Sequence, residues 1–123
     1  MAKILLIDDD PVLLKLYGTR LTADGHEVHS AIHGEAALEF LSKFTPDLIV
    51  LDLLMPKLNG FSFLEQLQML PQFGKTVKIV FSSVVNQDQI GRLESLGVSK
   101  YLNKTDTTPT QLVEVINACL APH

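Results

Sequence analysis

The chain has 123 residues, 46% hydrophobic and 20% charged, and ten Lys+Arg against 14 Asp+Glu give a formal net charge of −4. This is the length and composition of one globular domain, which excludes disorder as the main state. The acidic balance argues against general attraction to nucleic acid, and no apolar run approaches the ~20 residues that membrane insertion requires.

The first residues enter a strand-like run at 4–7 at once, leaving no room for a secretory signal, so a cytoplasmic location is expected. The single cysteine, Cys119, rules out an intrachain disulfide and suits a reducing compartment. The first run ends in Asp8-Asp9-Asp10. The spacing then predicts a helix over 11–23 with Asp10 as N-cap, Pro11 at the first helical position, and Leu13, Leu16, Tyr17 and Leu21 on the buried face. A weaker strand at 27–32 precedes a helix at 34–43 carrying Ala37, Leu38 and Leu41. A strand at 48–51 ends in Asp52, and a helix over 59–70 follows, with Phe61, Leu64 and Leu67 inward and Phe63 outward. The fourth strand, 77–81, ends in Ser82-Ser83; a helix over 86–96 carries Ile90 and Leu93, with Gly97 as its C-terminal cap. A fifth strand at 98–102 leads to Lys104, and a last helix over 109–120 carries Leu112, Val113 and Ile116. Thr108 and Gln111 stand at capping-box spacing around Pro109.

Five strand–helix units in succession imply a mainly parallel α/β sheet with helices on both faces. Short Ile-, Val- and Leu-rich runs without clean alternation suit strands buried on both sides. No linker or low-complexity segment divides the chain, so 1–123 reads as a single domain, with no space after Leu120 for a folded output domain.

Open α/β sheets bind ligands outside the carboxyl ends of their strands. The residues just beyond those ends are Asp8, Asp9, Asp10, Asp52, Ser82 and Lys104. Each alone suits a solvated loop, but together they place carboxylates, a hydroxyl and an ammonium at one rim. Crowded carboxylates resist ionisation, and a hard divalent cation relieves the repulsion. A carboxylate can be the nucleophile toward phosphorus, with a cation and a hydroxyl donor neutralising the phosphoryl oxygens. The inventory fits phosphoryl transfer onto an aspartate.

These residues carry a resemblance. Ile4-Leu5-Leu6-Ile7-Asp8-Asp9-Asp10, Asp52-Leu53-Leu54-Met55-Pro56 with Gly60, Ile79-Val80-Phe81-Ser82-Ser83 and Tyr101-Leu102-Asn103-Lys104 resemble the receiver domains of two-component response regulators, chiefly the single-domain chemotaxis type. The resemblance covers essentially the whole chain. It implies a flavodoxin-like (βα)5 fold with strand order 2-1-3-4-5. It implies Asp52 as phosphoacceptor; Mg2+ held by Asp8, Asp9, Asp52 and the backbone carbonyl of Leu54; Ser82 as the switch hydroxyl; Lys104 as the phosphate-pairing lysine; and Tyr101 as the aromatic switch. Asp9 is the more direct metal ligand and Asp8 acts largely through water, while Asp10 is a helix cap. The implied partners are a histidine kinase or histidine phosphotransfer protein, and an effector engaging the face of helix 4, strand 5 and helix 5. The module is then a signalling domain that catalyses its own phosphorylation and slow dephosphorylation, rather than an enzyme.

The sequence departs from the family pattern at Thr105, where proline after a cis bond is usual; a cis bond to a non-proline residue costs ~3–4 kcal/mol. That puts the placement of Lys104 in question. Leu54 and Val84 are apolar at positions that influence dephosphorylation in this family. Two alternatives stand beside the receiver: a scaffold working without phosphate, and a haloacid-dehalogenase-type phosphatase using Asp8 as nucleophile and Asp10 as acid. The latter leaves the Asp52 motif unexplained. His26, His29 and His33 are expected in surface roles, Cys119 partly buried, Gly34 and Gly60 near helix starts, and Gly25 and Gly97 near turns. The sequence suits a free-standing regulator or a receiver cut from a longer one.

Overall fold

The computed structural model describes residues 2–54, 60–83 and 87–121. Met55, Pro56 and Val84, and the expected helix starts at 59 and 86, lie outside the described residues. In chain order the elements are β1 (Lys3–Ile7), α1 (Pro11–Ala23), β2 (Glu27–Ala31), α2 (Gly34–Leu41), β3 (Leu48–Leu51), α3 (Gly60–Gln68), β4 (Val77–Ser82), α4 (Gln87–Ser95), β5 (Lys100–Asn103) and α5 (Pro109–Leu120). The strands form one parallel sheet in the order β2-β1-β3-β4-β5. This is the flavodoxin-like architecture.

Successive residues of the central strands feed opposite cores. Leu5, Ile7, Ile49, Leu51 and Val80 pack with α2, α3 and α4. Ile4, Leu6, Leu48, Val50, Ile79 and Phe81 pack with α1 and α5. Both sides are covered, so the strands read as unbroken apolar runs. Each such side chain contributes about 1.5–3 kcal/mol through burial. Strand β2 lies at the sheet edge, and Glu27 and Ser30 are exposed, which explains its weak sequence signal.

Helix faces differ from expectation in two places. In α1 the buried residues are Leu14, Tyr17 and Leu21, while Leu16 is exposed and Leu13 only borders the core. Leu14, Tyr17 and Leu21 are spaced i, i+3, i+7, and Leu16 is turned about 100° from Tyr17. In α3 the buried set is Gly60, Phe63, Leu64 and Leu67, so Phe63 is core and Phe61 is half-buried. Gly60 anchors that face, which turns Phe61 to the flank, under the Arg92 guanidinium of α4 at 4.2 Å.

Strand β5 begins later than expected because Val98 closes α4. Gly97 N–H donates to the Glu94 carbonyl (3.0 Å) and Val98 N–H to that of Leu93 (3.1 Å), with Gly97 at φ 84°. This is a Schellman cap. Gly25 and His26 end α1 in the same way, on Thr22 and Leu21. The expected caps form: Asp10 accepts from Val12 N–H (3.0 Å), and Thr108 and Gln111 make a reciprocal capping box. Helix α2 stops at Leu41, with Ser42 as its cap, rather than reaching 43. A 3-10 turn at Pro71–Phe73, absent from the expectation, buries Phe73. Lys78 fits beneath it, donating to the Phe73 (2.9 Å) and Thr76 (3.1 Å) carbonyls. Burial holds that ammonium below its usual pKa. No helix among the described residues is long and apolar enough to cross a membrane.

Candidate functional site

The site lies where the parallel strands end. Asp8 follows β1 and Asp52 follows β3; their N–H groups donate to the Ala31 (3.1 Å) and Ile7 (3.0 Å) carbonyls, extending the ladder one residue. Ile7 pairs with both Ala31 and Leu51, so this rung sets the two aspartates side by side. Ser82 closes β4, paired with Asn103 of β5, and Lys104 N–H donates to the Ser82 carbonyl at 3.2 Å.

The side chains converge. Lys104 Nζ donates to Asp8 Oδ2 (2.6 Å) and Asp52 Oδ2 (2.8 Å). Ser82 Oγ donates to Asp52 Oδ1 at 2.7 Å, and Leu54 N–H donates to the same oxygen at 3.1 Å. Asp10 N–H donates to Asp8 Oδ1 at 3.0 Å. Asp8, Asp52 and Ser82 are buried, whereas Asp9 is exposed. One carboxylate oxygen from each of Asp8, Asp9 and Asp52 lies within 4.8 Å of the others.

Burial pushes the Asp8 carboxyl above its ordinary pKa, against the lowering pull of the Lys104 bond and the Asp10 N–H. For Lys104, burial works against the charged form, but the bonds to Asp52 and Asp8 outweigh it and hold the ammonium above its usual value. Lys104 is thus a captive cation between two buried carboxylates. An all-oxygen cluster with an exposed member suits a hard divalent ion such as Mg2+, which keeps several of its waters.

The described peptide bonds include no cis bond, so Lys104-Thr105 is trans. The Lys104 ammonium nonetheless reaches both carboxylates, which removes the doubt that Thr105 raised. Leu54 is 55% exposed, two residues after Asp52. Tyr101 is half-buried against the core, its hydroxyl 3.5 Å from Glu94 Oε1 of α4. Asp10 is exposed and caps α1. The described histidines, His26, His29 and His33, are half-buried and tied into local structure. His26 bonds Asn117 (2.7 Å), His29 stacks near Phe40 and Phe44, and His33 accepts from Ala36 N–H (3.1 Å). Cys119 is partly buried, as expected.

Two contributors escaped the sequence reading. Gly60 begins α3, near a helix start as expected, but is also a close approach: an added Cβ would lie 2.6 Å from Leu53 Cα and 3.0 Å from the Asp52 carbonyl oxygen. Its N–H donates to the Leu53 carbonyl at 2.9 Å, so α3 starts directly against the backbone that carries Asp52. Asn103 accepts from Thr105 twice, next to Lys104. An Asn two residues before Thr at a strand end is a recognisable Asx-turn signal.

A family model described as "Response regulator receiver domain" matches residues 4–117. "Regulator of RpoS" from Escherichia coli strain K12 is 33% identical over 120 residues, covering 98% of this chain and 35% of the relative. "Gliding motility regulatory protein" from Myxococcus xanthus is 33% identical over 115 residues, 94% of this chain and 15% of that protein. The chain therefore spans about a third of the first relative's length and less of the second's. Among solved structures, the chemotaxis response regulator CheY4 of Vibrio cholerae superposes with a TM-score of 0.88 at 26% identity, covering 97% of this chain and 98% of that one. The non-phosphorylated HemR receiver domain of Leptospira biflexa has the same fold, with a TM-score of 0.88 at 23% identity over 100% of this chain and 99% of that one.

Proposed function

Because the chain belongs to the response regulator receiver domains of two-component signalling, we propose that Asp52 accepts a phosphoryl group from a histidine kinase or histidine phosphotransfer protein. The observation that carries this reading is the buried junction of Asp52, Ser82 and Lys104, joined by bonds of 2.7 and 2.8 Å beside Asp8. Asp8, Asp9, Asp52 and the Leu54 carbonyl would hold Mg2+. When bound, the ion neutralises phosphoryl oxygens and draws the clustered carboxylates into their charged forms.

The protein groups divide the remaining work. An Asp52 carboxylate oxygen attacks phosphorus, a new O–P bond forms, and the donor's P–N bond breaks. The imidazole leaves with the electron pair and takes up a proton. Lys104, already charged and held at Asp52, gains phosphoryl oxygens as partners. Ser82 exchanges its bond to Asp52 for one to the phosphoryl group, and Tyr101 turns inward, leaving Glu94. The altered face of α4, β5 and α5 then recruits an effector. The same residues support the chain's own slow dephosphorylation. They act in a cytoplasmic signalling domain, one unit over 1–123, with no direct part for nucleic acid.

The phosphatase alternative is not favoured, because Asp10, its required acid, caps α1 instead. The phosphate-independent scaffold is not favoured either, since Asp8, Asp9, Asp52, Ser82 and Lys104 are all retained. Incubation with labelled acetyl phosphate and Mg2+ tests the proposal. Labelling is expected in the wild type and absent in Asp52→Asn. Lys104→Ala should stay folded and retain labelling at a reduced rate. Undiminished labelling of Asp52→Asn, mapped to another residue, would overturn the assignment.

A further inference from the structure

Lys104 is held in register without the proline that usually follows this lysine. The sheet stops one residue earlier: Ser82 pairs with Asn103, and β5 is an edge strand whose residues are at most half-buried. Packing alone therefore constrains the next turn weakly. What does constrain it is Asn103. Its Oδ1 accepts from the Thr105 N–H at 2.8 Å and from Thr105 Oγ1 at 2.6 Å. Its main-chain carbonyl accepts from Asp106 N–H at 3.1 Å. Three bonds from one residue thus span Lys104, whose own N–H is fixed on the Ser82 carbonyl.

We propose that Asn103 and Thr105 form a hydrogen-bonded clasp that positions the Lys104 ammonium between Asp8 and Asp52. The clasp replaces a fixed proline φ by side-chain bonding. Proline at 105 offers neither an N–H nor a hydroxyl, so the two devices are mutually exclusive. The trans Lys104-Thr105 bond and the 2.6 and 2.8 Å contacts of the ammonium are its outcome. Asn103 is a positioning residue, acting on phosphoryl transfer only through Lys104. That last step rests on the function proposed above; the clasp itself does not.

Two measurements separate the ideas. The first is competitive labelling of lysines by an amine-reactive ester, mapped by mass spectrometry, with exposed Lys15 and Lys100 as internal standards. Wild type and Thr105→Ser, which keeps both donors, should label slowly at Lys104. Asn103→Ala should raise Lys104 labelling several-fold at unchanged Lys15 and Lys100. Thr105→Ala, exposed and conservative, should raise it less and serves if Asn103→Ala does not fold. Unchanged Lys104 labelling in the folded variants overturns the clasp, whatever phosphorylation does.

The second is the rate of Asp52 phosphorylation by acetyl phosphate, in a double-mutant cycle. Asn103→Ala should slow the reaction about tenfold when Lys104 is present, since small misplacement of a reacting group is costly. It should add nothing in a Lys104→Ala background. Equal slowing in both backgrounds overturns the positioning role. A wild type that takes up no phosphoryl group, with Lys104 labelling as expected, overturns the phosphoacceptor reading and leaves the clasp standing.

Discussion

Asp9 is the exposed member of the carboxylate trio, whereas Asp8 and Asp52 are buried and tied to Lys104. Removing either buried acid leaves an ammonium short of a partner; removing Asp9 does not. Asp9→Asn should therefore keep the metal-free melting temperature and lose most of its rise with Mg2+, through binding to the native state. A full Mg2+ response in that variant, measured by differential scanning calorimetry, contradicts the proposed ligand. Leu54 raises a second question at this scale. The residue is 55% exposed and follows Asp52 by two positions, so its side chain is proposed to flank the path of an attacking water. An apolar group there cannot orient that water, and neither can Val84, which lies outside the described residues. The phosphorylated state should be long-lived, and Leu54→Asn with Val84→Glu should hasten its decay by up to about 10²-fold. Equal decay of labelled wild type and double variant contradicts this role.

At the scale of elements, α3 is bound to the site by the absence of a side chain. A methyl at Gly60 would meet Leu53 Cα at 2.6 Å, and that neighbour is backbone that cannot turn aside. Gly60→Ala should cost about 1–3 kcal/mol of stability, by overpacking, and slow Asp52 labelling by displacing its loop. Denaturant unfolding at unchanged midpoint contradicts the close approach. This contact also marks the limit of what sequence patterns convey. Central strands, caps and the order of the units were legible because burial on both faces, Asp10-Pro11 and Thr108-Pro109 leave local signatures. The polar residues at the strand ends were legible because topology gathers those ends. The buried faces of α1 and α3 were legible only in part: Tyr17, Leu21, Leu64 and Leu67 lie where expected, whereas Leu14 and Phe63 take the core places expected of Leu13, Leu16 and Phe61. With Leu13, Leu14, Leu16 and Leu21 all apolar in α1, and Phe61 and Phe63 in α3, periodicity admits neighbouring stripes, and tertiary contacts select one. Val98 falls within the expected strand because its backbone role in capping α4 leaves no mark on its side chain.

For the molecule as a whole, two cores share one sheet, and the buried carboxylates Asp8 and Asp52 and the Ser82 hydroxyl gather at its carboxyl edge. Lys104 and Tyr101 leave the same strand region in different directions, one to the aspartates and one toward Glu94. Arg92 fastens α4 to α3, pairing with Glu65 at 2.8 Å and lying over Phe61. The proposed output face thus adjoins the site through β5, so a change at Asp52 has a short route to it. All of this depends on one chemical event, the formation of an acyl phosphate at a single side chain. Borohydride reduction after acetyl phosphate treatment tests it most directly, because the reagent converts an aspartyl phosphate to homoserine while sparing free carboxylates. Peptide sequencing by mass spectrometry should find homoserine at position 52 alone, dependent on Mg2+. Homoserine at position 8, or none in a folded, Mg2+-loaded protein, would contradict the account.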